Sequence, residues 1–320
     1  MMPAVVRWIC PCAWTCRGRG SRCGHTSAPG TPMARKSEGE TAWPAPAKIN
    51  RFLHIVGRRD DGYHLLQTVF QFLDYGDTVH LRVTGDGDIR RAADPVGVAA
   101  EADLTLRAAH ALQRASGTSL GAVLRVTKRL PAGGGLGGGS SDAATVLVAL
   151  NHLWGCGLGE DALAELGLAL GADVPVFVRG RSAWAEGVGE RLQPLELDCP
   201  WYVVLAPECT VSTAELFQAP ELTRNSPPIT IRDFCAGGGV NAFEPVARAR
   251  YSAVDRALRA LTADGKPRMS GSGGCVFLPR AGRNEAEQTL HRCQAEGWQG
   301  FVARGVNRSP LHQRMAEADG

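Results

Sequence analysis

"RLPAGGGLGGGSSDAATVLVAL", residues 129–150, places six glycines in seven positions and then runs directly into an apolar helical pattern. Glycine loses the most conformational freedom on folding, so such a run is costly unless the backbone must go where a side chain cannot. The strand pattern "AVLRVTKRL" delivers the chain to the loop, and no polar spacer separates loop from helix, which argues against a flexible linker. Strand, glycine loop and helix start together make an anion site, because backbone N–H groups line the loop and the helix dipole adds partial positive charge.

Two common phosphate loops are rejected by inspection. The P-loop needs G-x-x-x-x-G-K-[ST], and the residue after Gly139 is Ser140, with no lysine. The dinucleotide fingerprint can be laid over Gly133, Gly135 and Gly138, but it needs an acidic residue about 20 positions on. Asn151, His152 and Leu153 stand there.

The 320-residue chain is long enough for two domains with proper cores, and its 44% hydrophobic and 21% charged residues are those of an ordinary soluble globular protein. No uninterrupted apolar run reaches the roughly 18 residues that a membrane span needs. The net charge of +3 is misleading: residues 1–40 carry +4, and the remainder carries −1. A near-neutral body is poor support for general nucleic-acid binding, so any bound anion is expected at a local site. Six scattered cysteines (Cys156, Cys199, Cys209, Cys235, Cys275 and Cys293) lack C-x-x-C spacing and suggest a reducing cytoplasm. Cys10, Cys12, Cys16 and Cys23, with His25, fit no familiar zinc spacing, and no metal site is expected there. Arg7 and Pro11 interrupt what would be the apolar core of a signal peptide. Residues 1–42 are expected to be a leader, disordered over 1–32 or not translated at all if initiation is at Met33.

From Pro46, "PAKINRFLHIVGRR" alternates as a strand, with Lys48, Asn50 and His54 on one face and Ile49, Leu53 and Ile55 on the other. "YHLLQTVFQFLDYGD" reads as a second strand and "DTVHLRV" as a third, followed by a helix over 103–115. Ser140, Ser141 and Asp142 offer N-cap chemistry for a helix running to about Trp154, with Gly155 as its stop. A helix from Glu160 to Leu170 ends at Gly171, and "GADVPVFVRGRSAWAEGVGERL" reads as short extended segments. "WYVVLAP" is a strand, 241–263 mostly helical, "RMSGSGGCVFLP" a turn into a strand, 283–296 a helix and "GFVARGV" a closing strand. A boundary falls at 198–200, giving lobes over 43–198 and 199–311 and a tail over 312–320.

"PAGGGLGGGSSDAA" (131–144) resembles the P-x-x-x-G-L-G-S-S-A-A loop of the GHMP kinases, the family of galactokinase, homoserine kinase and mevalonate kinase. "PAKINRFLHIVGRRDDGYHLLQTVFQFLDYGD", "LGADVPVFVRGRSAWAEGVGE" and "MSGSGGCVF" extend the resemblance from about Ala45 to Leu311. They resemble most the branch of that family that phosphorylates the 2-hydroxyl of a cytidine-diphosphate derivative of methylerythritol in non-mevalonate isoprenoid synthesis. The resemblance implies an α+β fold in two lobes: a ribosomal-protein-S5 domain-2-like N-terminal lobe and a ferredoxin-like C-terminal lobe. It also implies a cytoplasmic enzyme, a monomer or weak homodimer, whose partners are small molecules.

By the same resemblance, ATP lies on Pro131, Ala132, Gly133, Gly134, Gly135, Leu136, Gly137, Gly138, Gly139, Ser140 and Ser141. Mg²⁺ travels with it and touches Ser140 or Ser141, and the glycines let the loop wrap the triphosphate. Asp173 is implied as the base toward the accepting hydroxyl and Lys48 as the cation beside it; seen alone, they would be a turn residue and a surface charge. Tyr63 and Phe217 are implied as the stacking pair around cytosine, His64 as the hydrogen-bonding reader of its edge, and Asn50 as a contact to the methylerythritol hydroxyls. Asp142 stands where the family commonly has a neutral residue, and a capping role pointing away from the phosphates is expected for it.

Overall fold

The structure, a computed structural model, describes residues 39–92 and 100–319. The leader and its cysteines up to residue 38 lie outside the described residues. β1 (Thr41–Arg58) starts two residues before the expected lobe boundary and pairs antiparallel with β2 (His64–Thr84). The two strands expected on either side of "YGD" are this single strand. Gly76 is a close approach instead of a turn: a Cβ there would lie 2.2 Å from the Ala45 carbonyl oxygen. Register shifts at Pro46/Lys48 and Asn50/Leu53 bend β1 where it carries its polar residues. Both of its faces are covered, so Lys48, Asn50 and His54 are buried along with Ile49 and Ile55.

β3 (Ile89–Arg91) leads to α1 (Leu104–Ser116), which Asp103 caps by accepting from the Thr105 N–H and Gly117 closes in the left-handed region. β4 (Gly121–Thr127) then delivers the chain to the glycine loop and α2 (Gly138–Leu153). The run from Ala143 to Leu150 is buried on every side, as expected of a helix apolar all round. α3 (Glu160–Leu168) is followed by α4 (Val174–Arg179), where extended chain is expected from the β-branched run. Pro175 in the first turn, Gly180 as a left-handed stop and complete burial of Val174, Val176, Phe177 and Val178 override that propensity. β5 (Ala183–Gly187) and β6 (Arg191–Pro194) complete this half.

The second half runs β7 (Trp201–Leu205), α5 (Thr213–Gln218), α6 (Ile231–Cys235), α7 (Glu244–Arg250), α8 (Ser252–Thr262), β8 (Arg268–Met269), β9 (Val276–Arg280), α9 (Arg283–Ala295), β10 (Gly300–Val306) and α10 (Pro310–Asp319). The helical stretch expected over 241–263 is interrupted at Tyr251, whose φ of −121° and ψ of 92° are extended. Strands order as β3-β4-β2-β10-β7-β9-β8, with β1 and β5 also on β2 and β6 beyond β5. β10 joins the halves, bonding to β7 along Gly300–Arg304 and to β2 at Gly305 and Val306. Residues 312–319, expected as a tail, belong to α10, whose Leu311 and Met315 pack into the first core with α1, α2 and α4. A second core gathers α7, α8 and α9 on β7 and β9. Each Leu or Phe fully buried in them contributes roughly 1.5–3 kcal/mol. β1, the start of α2, α4 and the β8–β9 turn converge between these cores.

Candidate active site

The glycine loop is anchored at its entrance by Asp77, whose Oδ1 accepts from the backbone N–H groups of Arg129 (2.5 Å) and Leu130 (2.8 Å). It is tied to β1 by the Lys48 N–H on the Leu136 carbonyl (3.0 Å). Its other face meets the β8–β9 turn: the Cys275 N–H donates to the Gly134 carbonyl at 3.1 Å. That contact explains Gly134 and Gly135 of the run, and Gly273 of the turn. Gly135 has φ 76°, and a Cβ on it would lie 2.0 Å from the Ser270 carbonyl oxygen; a Cβ on Gly273 would lie 2.0 Å from the Gly135 nitrogen. Two glycine turns therefore pack backbone to backbone before any ligand arrives, which amends the expectation that the triphosphate alone excludes side chains.

α2 begins with Gly137 as its N-cap and no side-chain cap, so the first-turn N–H groups stay open to an anion. Ser140, Ser141 and Asp142 lie inside the start of the helix and cap nothing. Ser140 lines the cleft and makes no side-chain hydrogen bond among the described residues. The Ser141 hydroxyl is buried and donates to the Pro46 carbonyl at 2.7 Å. Of the two serines, Ser140 is therefore the one free to meet a magnesium–nucleotide complex.

Opposite the loop, Lys48 is buried and its Nζ sits 3.2 Å from Asp173 Oδ2, 2.6 Å from Asn50 Oδ1 and 3.2 Å from the Gly135 carbonyl. A buried ammonium needs such partners, and three acceptors fix it. Asp173 occupies the N-cap position of α4 yet makes no capping bond, so its carboxylate is spent on Lys48 and the cleft, where its side chain is 35% exposed. Asn50 Nδ2 donates to Thr68 Oγ1 at 2.9 Å, so one amide N–H remains to meet a substrate hydroxyl.

The cleft, about 1030 Å³, runs from Lys48, Asp173, Gly135 and Ser140 to Tyr63, His64 and Phe217. His64 stacks on Phe217 with ring centroids 4.6 Å apart and planes 19° off parallel. Its Nε2 is buried and has no partner among the described residues. Burial, helped by the nearby Arg224 and Arg58 charges, holds the imidazole below its ordinary pKa, so it is neutral at pH 7. Tyr63, 65% exposed, lines the same end without a ring contact among the described residues. The structure thus brings Lys48, Asn50, Tyr63, His64, Asp173 and Phe217 to one cleft with Gly135 and Ser140 of the loop, whereas Leu136 and Ser141 are buried behind it and the inner place of the expected sandwich is taken by His64.

Four further residues support the site, two of them, Ser270 and Ser272, within the "MSGSGGCVF" stretch. Ser270 accepts from the Asn50 N–H (3.2 Å) and donates to the Gly135 carbonyl (3.0 Å), joining β1, loop and turn. Asn241 Nδ2 donates to the carbonyls of Met269 and Gly271, both at 2.8 Å, and so holds the turn from behind. Thr213 Oγ1 and Ser272 Oγ lie 2.6 Å apart at the rim. Asn241 and Thr213 carry no local sequence signal, because their partners lie on distant elements.

Asp142 departs furthest from expectation. It is buried, 2.8 Å from Lys128 Nζ, and Lys128 also pairs with Asp77. Burial pushes its carboxyl up to about 7, against the pull of Lys128 and with Asp77 adding repulsion. The folded protein then binds a proton that the unfolded chain has lost between about pH 4 and 7, so stability falls as pH rises through that window. Asp142→Asn should flatten the fall of Tm between about pH 5 and 7.5. An unchanged slope would mean that Asp142 is ionised in the fold throughout.

An open helix N-terminus facing a buried cation–carboxylate pair suits transfer of a phosphoryl group to an alcohol, where positioning and charge do most of the catalysis. The class is confirmed by two family models: that of the GHMP kinases N-terminal domain matches residues 103–181, and that of the GHMP kinases C-terminal domain residues 225–297. The 4-diphosphocytidyl-2-C-methyl-D-erythritol kinase of Halorhodospira halophila is 60% identical over 281 residues, covering 87% of this chain and 97% of that protein. The enzyme of the same name from Xanthomonas axonopodis pv. citri is 58% identical over 273 residues, 85% of this chain and 92% of that protein. A crystal structure of 4-(cytidine 5'-diphospho)-2C-methyl-D-erythritol kinase superposes with a TM-score of 0.71 at 32% identity, covering 83% of this chain and 99% of that one. The chain belongs to the GHMP kinases and, within them, to the family of the 4-diphosphocytidyl-2-C-methyl-D-erythritol kinases. No helix among the described residues is long and apolar enough to cross a membrane.

Proposed function

We propose that this protein transfers the γ-phosphoryl group of ATP to the 2-hydroxyl of 4-diphosphocytidyl-2-C-methyl-D-erythritol, a step of non-mevalonate isoprenoid synthesis. The observation that carries the reading is Lys48 Nζ 3.2 Å from Asp173 Oδ2 and 3.2 Å from the glycine-loop carbonyl of Gly135. The loop from Pro131 to Ser141 and the start of α2 hold the phosphates through backbone N–H groups. Asp173 orients the 2-hydroxyl and takes its proton as the oxygen bonds to the γ-phosphorus and the bond to the β-phosphate oxygen breaks, releasing ADP. Lys48, held by Asn50, stabilises negative charge on the attacking oxygen. Mg²⁺ accompanying ATP would neutralise phosphate charge beside Ser140. The lobes at 43–198 and 199–311 contribute loop and turn respectively. The enzyme acts as a monomer or weak homodimer on a free cytoplasmic metabolite, without nucleic acid.

At the other end, cytosine would take the face of Phe217, Tyr63 would close from the exposed side, and His64 would swing out of its stack to present a ring nitrogen to the base edge. Stacking tolerates any base, so the hydrogen bonds select cytosine. His64→Ala should therefore raise KM for the cytidylyl substrate by about 5–150-fold, the equivalent of roughly 1–3 kcal/mol for groups left unpaired, with little change in KM for ATP. Equal effects on both substrates would make His64 structural. The reading as a whole is tested by ADP release with a panel of alcohols with and without the cytidine diphosphate group. Turnover should require that group, and turnover indifferent to it would point to another acceptor.

A further inference from the structure

The base end of the cleft carries positive charge that the protein does not neutralise. Among the charged side chains lining the cleft are Arg58, Asp61, Arg224 and, further in, Asp173. Asp61 is paired with Arg59 at 2.7 Å, and Asp173 with Lys48. Neither Arg58 nor Arg224 has a carboxylate partner among the described residues, and both lie close enough to His64 to depress its protonation. Arg58 is the last residue of β1 and is the cross-strand partner of His64 in the β1–β2 ladder, which places the two on one face of the pair. Its Nε donates to the Gly62 carbonyl at 3.1 Å, fixing the guanidinium and leaving both terminal amino groups free. Arg224 is committed differently: its terminal nitrogens donate to the carbonyls of Leu222 (3.0 Å), Phe217 (2.7 Å) and Ala219 (2.7 Å). It holds the segment bearing Phe217 and contributes charge more than contacts.

We propose that Arg58 is a specificity-determining residue that binds the diphosphate of the cytidylyl substrate, with Arg224 as its electrostatic support. This rests on the reading of the cleft as a cytidylyl-alcohol kinase site. A nucleoside diphosphate ester carries one negative charge on each phosphate, and two guanidinium groups beside the base slot match that charge. A guanidinium with two free amino groups in one plane is shaped to bond phosphate oxygens in pairs. The arrangement selects a phosphorylated cytidine over free cytidine, a distinction that stacking on Phe217 cannot make.

The test is calorimetric titration of the full chain with cytidine, CMP and CDP, for wild type, Arg58→Gln and Arg58→Lys. Arg58→Gln should weaken CDP by about tenfold, the loss of one charge-assisted contact, and cytidine by less than about twofold. Arg58→Lys should recover part of the CDP loss, and the salt dependence of CDP binding should be shallower in Arg58→Gln than in wild type. Equal weakening of cytidine and CDP would show that Arg58 merely shapes the Gly62 turn, and unchanged CDP affinity would remove it from recognition; either overturns the proposal. Binding needs no turnover, so a wild-type protein that binds CDP through Arg58 but phosphorylates no cytidylyl alcohol would refute the proposed activity and leave this assignment standing.

Discussion

Asp173→Asn is expected to lower kcat by about 10²–10⁴, the span of a positioned general base, while leaving ATP affinity little changed. The substitution keeps the shape of a side chain whose only charged partner among the described residues is Lys48, 3.2 Å away, and removes its charge and basicity. ATP should be unaffected if, as proposed, the loop backbone makes the phosphate contacts. Lys48→Met should also reduce kcat, since the Nζ that bridges Asp173, Asn50 and the Gly135 carbonyl is lost. The double variant should lose far less than the product of the two effects, because residues acting as one unit are not additive. Single-turnover kinetics of the three proteins check this. A folded Asp173→Asn enzyme with near wild-type turnover would take the aspartate out of the chemistry.

Gly135→Ala should lower kcat/KM for ATP by about 100-fold or more, for a reason independent of proton transfer. Gly135 has φ 76°, a region that costs an L-residue roughly 1–2 kcal/mol. The new Cβ would also stand 2.0 Å from the Ser270 carbonyl oxygen and 2.9 Å from the Gly273 nitrogen. Both are backbone atoms of a turn held from behind by Asn241, so no flexible side chain can give way. The loop or the turn must shift by about 1 Å, a displacement that can cost 10²-fold when reacting groups are misplaced. The fold should persist, with Tm falling by less than about 10 °C. Steady-state kinetics with thermal unfolding check the pair of outcomes, and a Gly135→Ala enzyme with wild-type ATP kinetics would mean that the two turns do not depend on each other's backbone.

The candidate site residues were legible through the family resemblance, and only the glycine loop was also legible from its local backbone, since Lys48 and Asp173 seen alone read as a surface charge and a turn residue. The glycine run before α2 and Lys48 on β1 sit in unbroken motifs, and Asp173 at the head of α4 sits in "GADVP". The sequence did not reveal what the glycines accommodate, because Ser270 and Gly273 lie more than a hundred residues along the chain. Tertiary burial hid three further features: the helical state of "VPVFVR", the continuity of β2 through Gly76 and the docking of α10 onto the first core. Asp142 looked like a capping charge because its partner Lys128 comes from just past β4, and Asp77, which shares that lysine, from β2. The position of His64 against Phe217 was equally out of reach, since face-to-face stacking is decided by the space left between β2 and α5.

The most direct measurement is the position of the new phosphate in the product, read by phosphorus and carbon NMR after incubation of the protein with ATP, Mg²⁺ and 4-diphosphocytidyl-2-C-methyl-D-erythritol. Transfer to the 2-hydroxyl should give stoichiometric ADP and a single phosphomonoester on that tertiary hydroxyl of the methylerythritol unit, absent with Asp173→Asn on the same timescale. Phosphate on a different hydroxyl, or ADP formed by hydrolysis with the cytidylyl alcohol unchanged, would contradict it.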